Sequence, residues 1–133
     1  MSPSNPVVHF EMPARDRERM KQFYAKAFGW KLNQLGPDMG DYVVAHTGET
    51  DPKTGMVKNP GNINGGFYGR TDEKQAPSVV IAVEDVKKHL EIVKKAGGTV
   101  ESEPMEIPGI GWHASFFDTE GNRVSMLQPM RPM

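Results

Sequence analysis

Histidine and glutamate alternate on one predicted strand near the start of the chain. Residues 7–12, "VVHFEM", alternate apolar and polar side chains, which is typical of a half-buried strand. His9 and Glu11 therefore share one face, opposite Val8, Phe10 and Met12. An imidazole titrates near neutral pH, and an adjacent carboxylate can orient it and raise its pKa. We predict His9 and Glu11 as a catalytic acid–base pair, the alternative being that His9 only lines a cavity.

A second histidine lies on a later strand-like segment. His113 falls within "IGWHASF" (110–116), where alternation puts it opposite Trp112, which would pack under a helix. If His113 came close to His9 and Glu11, the three side chains would form a facial triad for a divalent ion. This metal-site alternative stays open at this point.

Length and composition restrict the class of protein. The chain has 133 residues, 25% of them charged, a formal net charge of −1 and no cysteine. One domain is expected, with no basic stripe for nucleic acid and no apolar run long enough for a membrane span. The N-terminus lacks the pattern of a secretory signal, and the absence of cysteine is compatible with a reducing compartment, so we expect a cytoplasmic protein.

The sequence repeats itself at a distance of about 70 residues. In the first copy a helix follows the strand; Asp16 is its predicted N-cap, and Gly29 its end. In "SVVIAVEDVKKHLEIVKKAGG" (78–98) a strand again precedes a helix that starts at Glu84 or Asp85. The apolar stripe of the first helix comprises Met20, Phe23, Tyr24, Ala27 and Phe28.

Each copy then continues with three further strand patterns. The fold class predicted is therefore α+β, a single domain (1–133) of two βαβββ modules, 5–70 and 76–129, whose mixed sheet curves around a cleft. A glycine- and proline-rich insertion, 47–62, is predicted to be an exposed loop. Trp30 and Tyr42 are expected in the core or, as aromatic residues, in the wall of the cleft.

Three segments in this order resemble the vicinal oxygen chelate superfamily, which includes glyoxalases, bleomycin-resistance proteins and extradiol dioxygenases. They are "HFEMPARDRERMKQFYAKAFGW", "VVIAVEDVKKHLEIVKKAGG" and "FFDTEGNRVSML". The resemblance implies a glyoxalase-like fold and four matched strand positions that hold a divalent ion in the family's metal enzymes. In this chain those positions are His9, Gly65, Ser78 and Ser125.

The matched positions offer one good metal ligand. Glycine has no side chain, a neutral serine hydroxyl is a poor ligand, and such ions require at least three His, carboxylate or thiolate donors. We therefore predict no metal site and no cofactor, with a divalent metal as the minor alternative. Ligand-binding residues are predicted to be His113, Ser78, Ser125, Gly65 and Tyr42.

Three functions remain open from the sequence. The first is a superfamily member that binds or transforms a small organic molecule without the usual metal site. The second is a metal-dependent lyase or dioxygenase with relocated ligands such as Glu11 and His113. The third is a non-catalytic, drug-sequestering binder of the bleomycin-resistance type. The resemblance also implies a homodimer, formed by side-by-side packing or by module swapping.

Overall fold

The computed structural model describes residues 4–54 and 57–130. These residues form two α-helices, a one-turn 3-10 helix at Pro37–Met39, and nine strands. In chain order the elements are β1 (Val7–Ala14), α1 (Arg17–Phe28), β2 (Lys31–Gln34), β3 (Val43–His46), β4 (Asn64–Gly69), β5 (Ser78–Ala82), α2 (Val86–Lys95), β6 (Thr99–Val100), β7 (Met105–Ile107), β8 (Gly111–Phe117) and β9 (Arg123–Pro129).

The chain divides into two compact units. The first unit is His9–Pro77, and the second unit combines residues 4–8 with residues 78–130. Residues 4–8 join the second unit through the backbone, since Ala82 N donates to the Pro6 carbonyl oxygen at 2.9 Å. The predicted module boundaries, 5–70 and 76–129, stay a prediction.

The first unit has the strand order β2-β3-β4-β1. The β2–β3 and β3–β4 pairs are antiparallel, whereas β4 runs parallel to β1. A parallel pair needs a long crossover, and the chain from α1 through β3 supplies it. This order places β1, which carries His9 and Glu11, directly beside the glycine-dense strand β4.

The second unit repeats the arrangement. Strand β9 lies parallel to β5 and antiparallel to β8, and both β6 and β7 pair antiparallel with β8. Each unit thus contributes a mixed sheet and one helix, and the predicted α+β fold of two βαβββ modules is confirmed.

Aspartate side chains begin both helices. Asp16 accepts a hydrogen bond from Arg19 N at 3.0 Å, and Asp85 accepts one from Lys88 N at 3.2 Å. Each bond satisfies an amide that has no partner in the first helical turn. Gly29 ends α1 in the left-handed conformation, at φ 71°. Asp16 and Gly29 have the functions that the sequence predicted for them.

The two helices are covered to different extents. Helix α2 buries Val86 and Leu90 against Val83, Ala114 and Met126. Helix α1 has no buried residue, although Met20 and Tyr24 pack against the cluster around Phe67 and Val43. Phe23 and Phe28 of the predicted apolar stripe are 57% and 64% exposed. The stripe is therefore only partly covered by other described residues of the chain.

The segment 47–62 connects the antiparallel strands β3 and β4. Asn64 holds its base: Thr47 N donates to Asn64 Oδ1 at 2.9 Å, and Asn64 Nδ2 donates to Thr50 Oγ1 at 3.0 Å. Further along, Lys58 N donates to the Glu49 carbonyl oxygen at 2.8 Å. Neither of the two described helices is long and apolar enough to cross a membrane.

Candidate functional site

The predicted alternation of β1 is present in the first unit. Phe10, Met12 and Ala14 pack with the core cluster, which leaves His9 and Glu11 on the opposite face of the strand. His9 is paired in register with Asn64 of β4, and Glu11 with Gly66. Both predicted catalytic residues therefore lie beside β4 on the face that α1 does not cover, and both are half-buried.

Tyr42 joins Glu11 by reaching across β4. Its hydroxyl donates to Glu11 Oε2 at 3.4 Å, although the two residues are 31 positions apart. Gly66 makes this possible, because a Cβ added at Gly66 would lie only 1.9 Å from Tyr42 Oη. The phenol thus occupies the space that any other side chain at this position would fill.

Burial raises the pKa of the Tyr42 phenol far above its ordinary value, and the nearby Glu11 carboxylate raises it further. The Tyr68 phenol acts in the same direction. Tyr42 is consequently neutral over the whole physiological range and acts as a hydrogen-bond donor to Glu11. The pair places a carboxylate beside a neutral donor on this face.

Gly65 lies on the core face of β4. The family resemblance made it a matched metal position, and an added Cβ at Gly65 would meet the Phe10 ring. Gly65 therefore faces the apolar core with Phe10 and Phe67. The glycine on the His9 face is its neighbour Gly66, since successive residues of a strand point to opposite faces.

The second unit carries the other predicted site residues. Ser125 lies between Val80 and Ser115 in the sheet register and is fully buried, and His113 lies beside Leu127. These residues share one face, while Trp112 packs with the α2 core as predicted. The Ser78 hydroxyl is buried, with no hydrogen-bond partner among the described residues. Ligand binding by these residues stays a prediction.

A polar cluster in the second unit was not predicted from sequence. Glu101 Oε1 accepts hydrogen bonds from Ser115 Oγ at 2.6 Å and Arg123 Nε at 2.7 Å, and Ser102 Oγ lies 3.1 Å from Ser115 Oγ. Partial burial opposes ionisation of Glu101, but the Ser115 and Arg123 hydrogen bonds outweigh it and hold its pKa below the ordinary value. No sequence signal marks this cluster, because Glu101 and Ser102 follow the end of a two-residue strand.

The residues present do not fit the family's metal ion. Gly65 faces the core and has no donor atom, and Ser78 and Ser125 supply neutral hydroxyls. No group of three or more His, Asp and Glu side chains in residues 4–54 and 57–130 is placed to hold an ion. His9 and Glu11 are the two potential ligands on the β1 face, and two protein ligands are too few for a tight site.

Comparison with known proteins identifies the family. The family model described as Glyoxalase/Bleomycin resistance protein/Dioxygenase superfamily matches residues 7–126. The chain belongs to this superfamily. A glyoxylase-like domain-containing protein from Didymella fabae is 33% identical over 121 residues, which cover 87% of this chain and 88% of that protein. The superfamily resemblance found in the sequence is confirmed.

Solved structures show the same fold at low sequence identity. A hypothetical protein from Bacillus halodurans C-125 has a TM-score of 0.68 and 14% identity, covering 98% of this chain and 99% of the other. Methylmalonyl-CoA epimerase from Mycobacterium tuberculosis has a TM-score of 0.67 and 14% identity, covering 98% and 94%. At these identities the similarity concerns the fold alone.

Proposed function

We propose that this superfamily member binds a small organic molecule on the Glu11 face of the first unit and transfers a proton to or from it without the family's metal ion. The observation that carries the proposal is the Tyr42–Glu11 hydrogen bond across Gly66. This long-range contact requires a glycine in mid-strand and places a buried phenol beside one carboxylate. Positioned carboxylates are suited to general acid–base chemistry.

The partner of the carboxylate supports this assignment. The Tyr42 phenol is a neutral donor, so its hydrogen bond to Glu11 does not itself neutralise the carboxylate. His9 lies two residues away on the same face, and its imidazole can supply a second proton-transferring or ligand-orienting group near neutral pH. Glu11 is the proposed base, and Tyr42 positions it.

Proton abstraction from carbon beside a carbonyl is the reaction class that we assign to Glu11. The reaction moves one proton from carbon to the carboxylate, and the electron pair is left on the enolate oxygen. Return of a proton from Glu11, or from solvent that has exchanged with it, completes the cycle without an oxidant or a metal. Solved proteins of this fold include those named methylmalonyl-CoA epimerase, whose name describes a change at a carbon centre of an acyl thioester.

Hydrogen–deuterium exchange tests this function directly. Purified protein in D₂O would be incubated with a panel of small ketones, thioesters and 2-substituted acids, and exchange at the carbon beside the carbonyl followed by NMR. The proposal predicts exchange in at least one compound, a loss of about 100-fold or more in Glu11→Gln, and about tenfold in Tyr42→Phe. Glu106→Gln, at an exposed position on β7, is the matched control and should retain the wild-type rate.

Metal analysis of the same untreated preparation separates the alternatives. We expect well below one equivalent of zinc, nickel, iron or manganese per chain, and exchange that withstands chelation. A stoichiometric ion that is lost in His9→Ala would instead support a metal-dependent enzyme. Stabilisation by a compound that shows no exchange or turnover would support the drug-sequestering binder.

A further inference from the structure

The first unit has a hollow on the helix side of its sheet. It has a volume of about 420 Å³ and lies between α1 and the strands β1 and β4. Its apolar lining comprises Met12, Ala14, Met20, Phe23, Tyr24 and Phe67. Met12 and Phe67 are on the core face of their strands, so this hollow is separated by the sheet from the Glu11 face.

The size and lining of the hollow suit a small ligand. Binding sites for small molecules typically enclose about 300–1,000 Å³ and combine apolar walls with a few polar groups. Phe67, 2% exposed, forms part of the lining, so the hollow reaches the core of the unit. The two methionines can adapt to the outline of a bound group, because their side chains are unbranched and flexible.

The polar part of the lining is mostly cationic. Arg15, Arg19 and Arg70 contribute to it, and the one acidic contributor, Asp16, accepts the capping hydrogen bond of α1. Arg15 pairs with Glu73, and Arg70 Nη1 donates to carbonyl oxygens of the 72–75 turn. The Arg19 guanidinium forms no ion pair with any described residue. It is therefore available to an anion.

A poorly satisfied hydroxyl also contributes to the lining. Tyr24 Oη has the sulfur of Met12 as its hydrogen-bond partner, at 4.0 Å. A thioether is a weak acceptor, and this distance is at the outer limit for such a contact. A carboxylate oxygen would be a stronger acceptor for the phenol than the methionine sulfur is.

The charge pattern of α1 decides between the possible occupants. Arg19 and Lys26 lie seven residues apart on the face that also exposes Phe23, and Glu18 on the same helix is paired with Lys21. A second copy docked by the same face would bring like charges together, which is unfavourable. A small apolar molecule with a negative head group satisfies both the arginine and the apolar lining.

We infer that this hollow binds a small carboxylic acid with an aromatic or acyl body. The carboxylate is held by Arg19 and Tyr24, and the apolar body lies against Met12, Met20 and Phe67. Since the sheet separates this site from Glu11, the inference does not depend on the proposed function.

Calorimetric titration with 2-naphthoate tests the inference, and neutral 2-naphthamide is the matched ligand. The acid should bind with a one-to-one stoichiometry, and the amide at least about tenfold more weakly, since it lacks the charge that Arg19 recognises. Arg19→Gln should weaken binding of the acid about tenfold, and Tyr24→Phe about threefold. Lys26→Gln, which removes a cation from the same helix outside the hollow, should leave the affinity within twofold.

Four results would overturn the inference. The first two are no binding of 2-naphthoate at millimolar concentration and equal binding of the acid and the amide. The other two are equal losses of affinity in Arg19→Gln and Lys26→Gln, and a loss of affinity in Glu11→Gln in place of Arg19→Gln. The last result would assign the acid to the Glu11 face. Sedimentation analysis adds a further outcome. A dimer that Phe23→Ala dissociates, and that excludes 2-naphthoate, would assign the hollow to a second copy of the chain.

Discussion

The two units share an order of elements but use their carboxylates differently. In the second unit Glu101 accepts hydrogen bonds from a serine at 2.6 Å and an arginine at 2.7 Å. In the first unit Glu11 accepts one from the neutral Tyr42 phenol at 3.4 Å. The Ser115 and Arg123 hydrogen bonds hold the pKa of Glu101 below its ordinary value, whereas the Tyr42 donor of Glu11 is neutral. The duplicated scaffold thus supports structure in one copy and, as we propose, chemistry in the other.

The helices of the two units differ in a parallel way. Helix α2 is anchored by Val86 and Leu90, which are 1% and 6% exposed. Helix α1 leaves Phe23 and Phe28 more than half exposed and contributes to the lining of the hollow described above. A helix packed by its apolar face adds stability, and one with an uncovered apolar face is available for binding.

The largest effect is expected from truncating the anchor of α2. Leu90→Ala should lower the free energy of unfolding by about 3 kcal/mol, because it leaves a cavity in the second core. Phe23→Ala, the corresponding truncation on α1, should cost less than about 1 kcal/mol, because most of that ring is already in water. Urea denaturation of both variants measures the contrast. Equal losses would mean that the α1 face is covered in solution.

A smaller effect is expected from filling the space beneath Tyr42. Gly66→Ala should destabilise the protein by about 2 kcal/mol, because the new methyl group would displace the phenol. In a Tyr42→Ala background the same substitution should cost less than about 0.5 kcal/mol, since the clash is gone. Thermal unfolding of the wild type, the two single variants and the double variant gives the coupling energy between positions 42 and 66. If the costs are additive, Tyr42 does not lie over Gly66.

The smallest effect concerns the charge of Glu101. Its pKa is lowered in the folded protein, so its contribution to stability is present above the ordinary value of 4.5 and is lost as the pH falls through the lowered value. Glu101→Gln should therefore cost about 1 kcal/mol at pH 7, and the difference from wild type should shrink below about pH 4.

Glu106→Gln is the matched control for this measurement, because Glu106 is exposed on β7. Denaturation curves between pH 3 and 7 should show no comparable loss in that variant. A difference between Glu101→Gln and wild type that is constant with pH would argue against the charged hydrogen bonds of Ser115 and Arg123.

Most of the fold could be predicted from local sequence patterns. Strand alternation, the aspartate caps and the helix-ending Gly29 are all local features, and the structure contains them where they were predicted. The repeat gave the order of elements, because two similar segments of this length fold in the same way. The exposure of Phe23 was missed, since periodicity shows which side chains share a face but not whether anything covers it.

The site was only partly predictable. The alternation of β1 predicted that His9 and Glu11 share a face. The face on which Gly65 lies depends on the register between β1 and β4, which the sequence does not give. The contact of Tyr42 with Glu11 depends on packing across a strand, which no local pattern encodes. The adjacent glycines of β4 were the available signal, since glycine within a strand often marks a close approach.

Asn64 has a further consequence for how the chain can be re-engineered. Its side chain ties Thr47 and Thr50 to the start of β4, so the base of the segment 47–62 is closed without any contribution from Pro52 or Lys53. Exposed loop tips of this kind tolerate new chain ends. A chain opened between Pro52 and Lys53 should keep β3 and β4 in register, because the Asn64 hydrogen bonds join Thr47 and Thr50 to β4 on the far side of the cut.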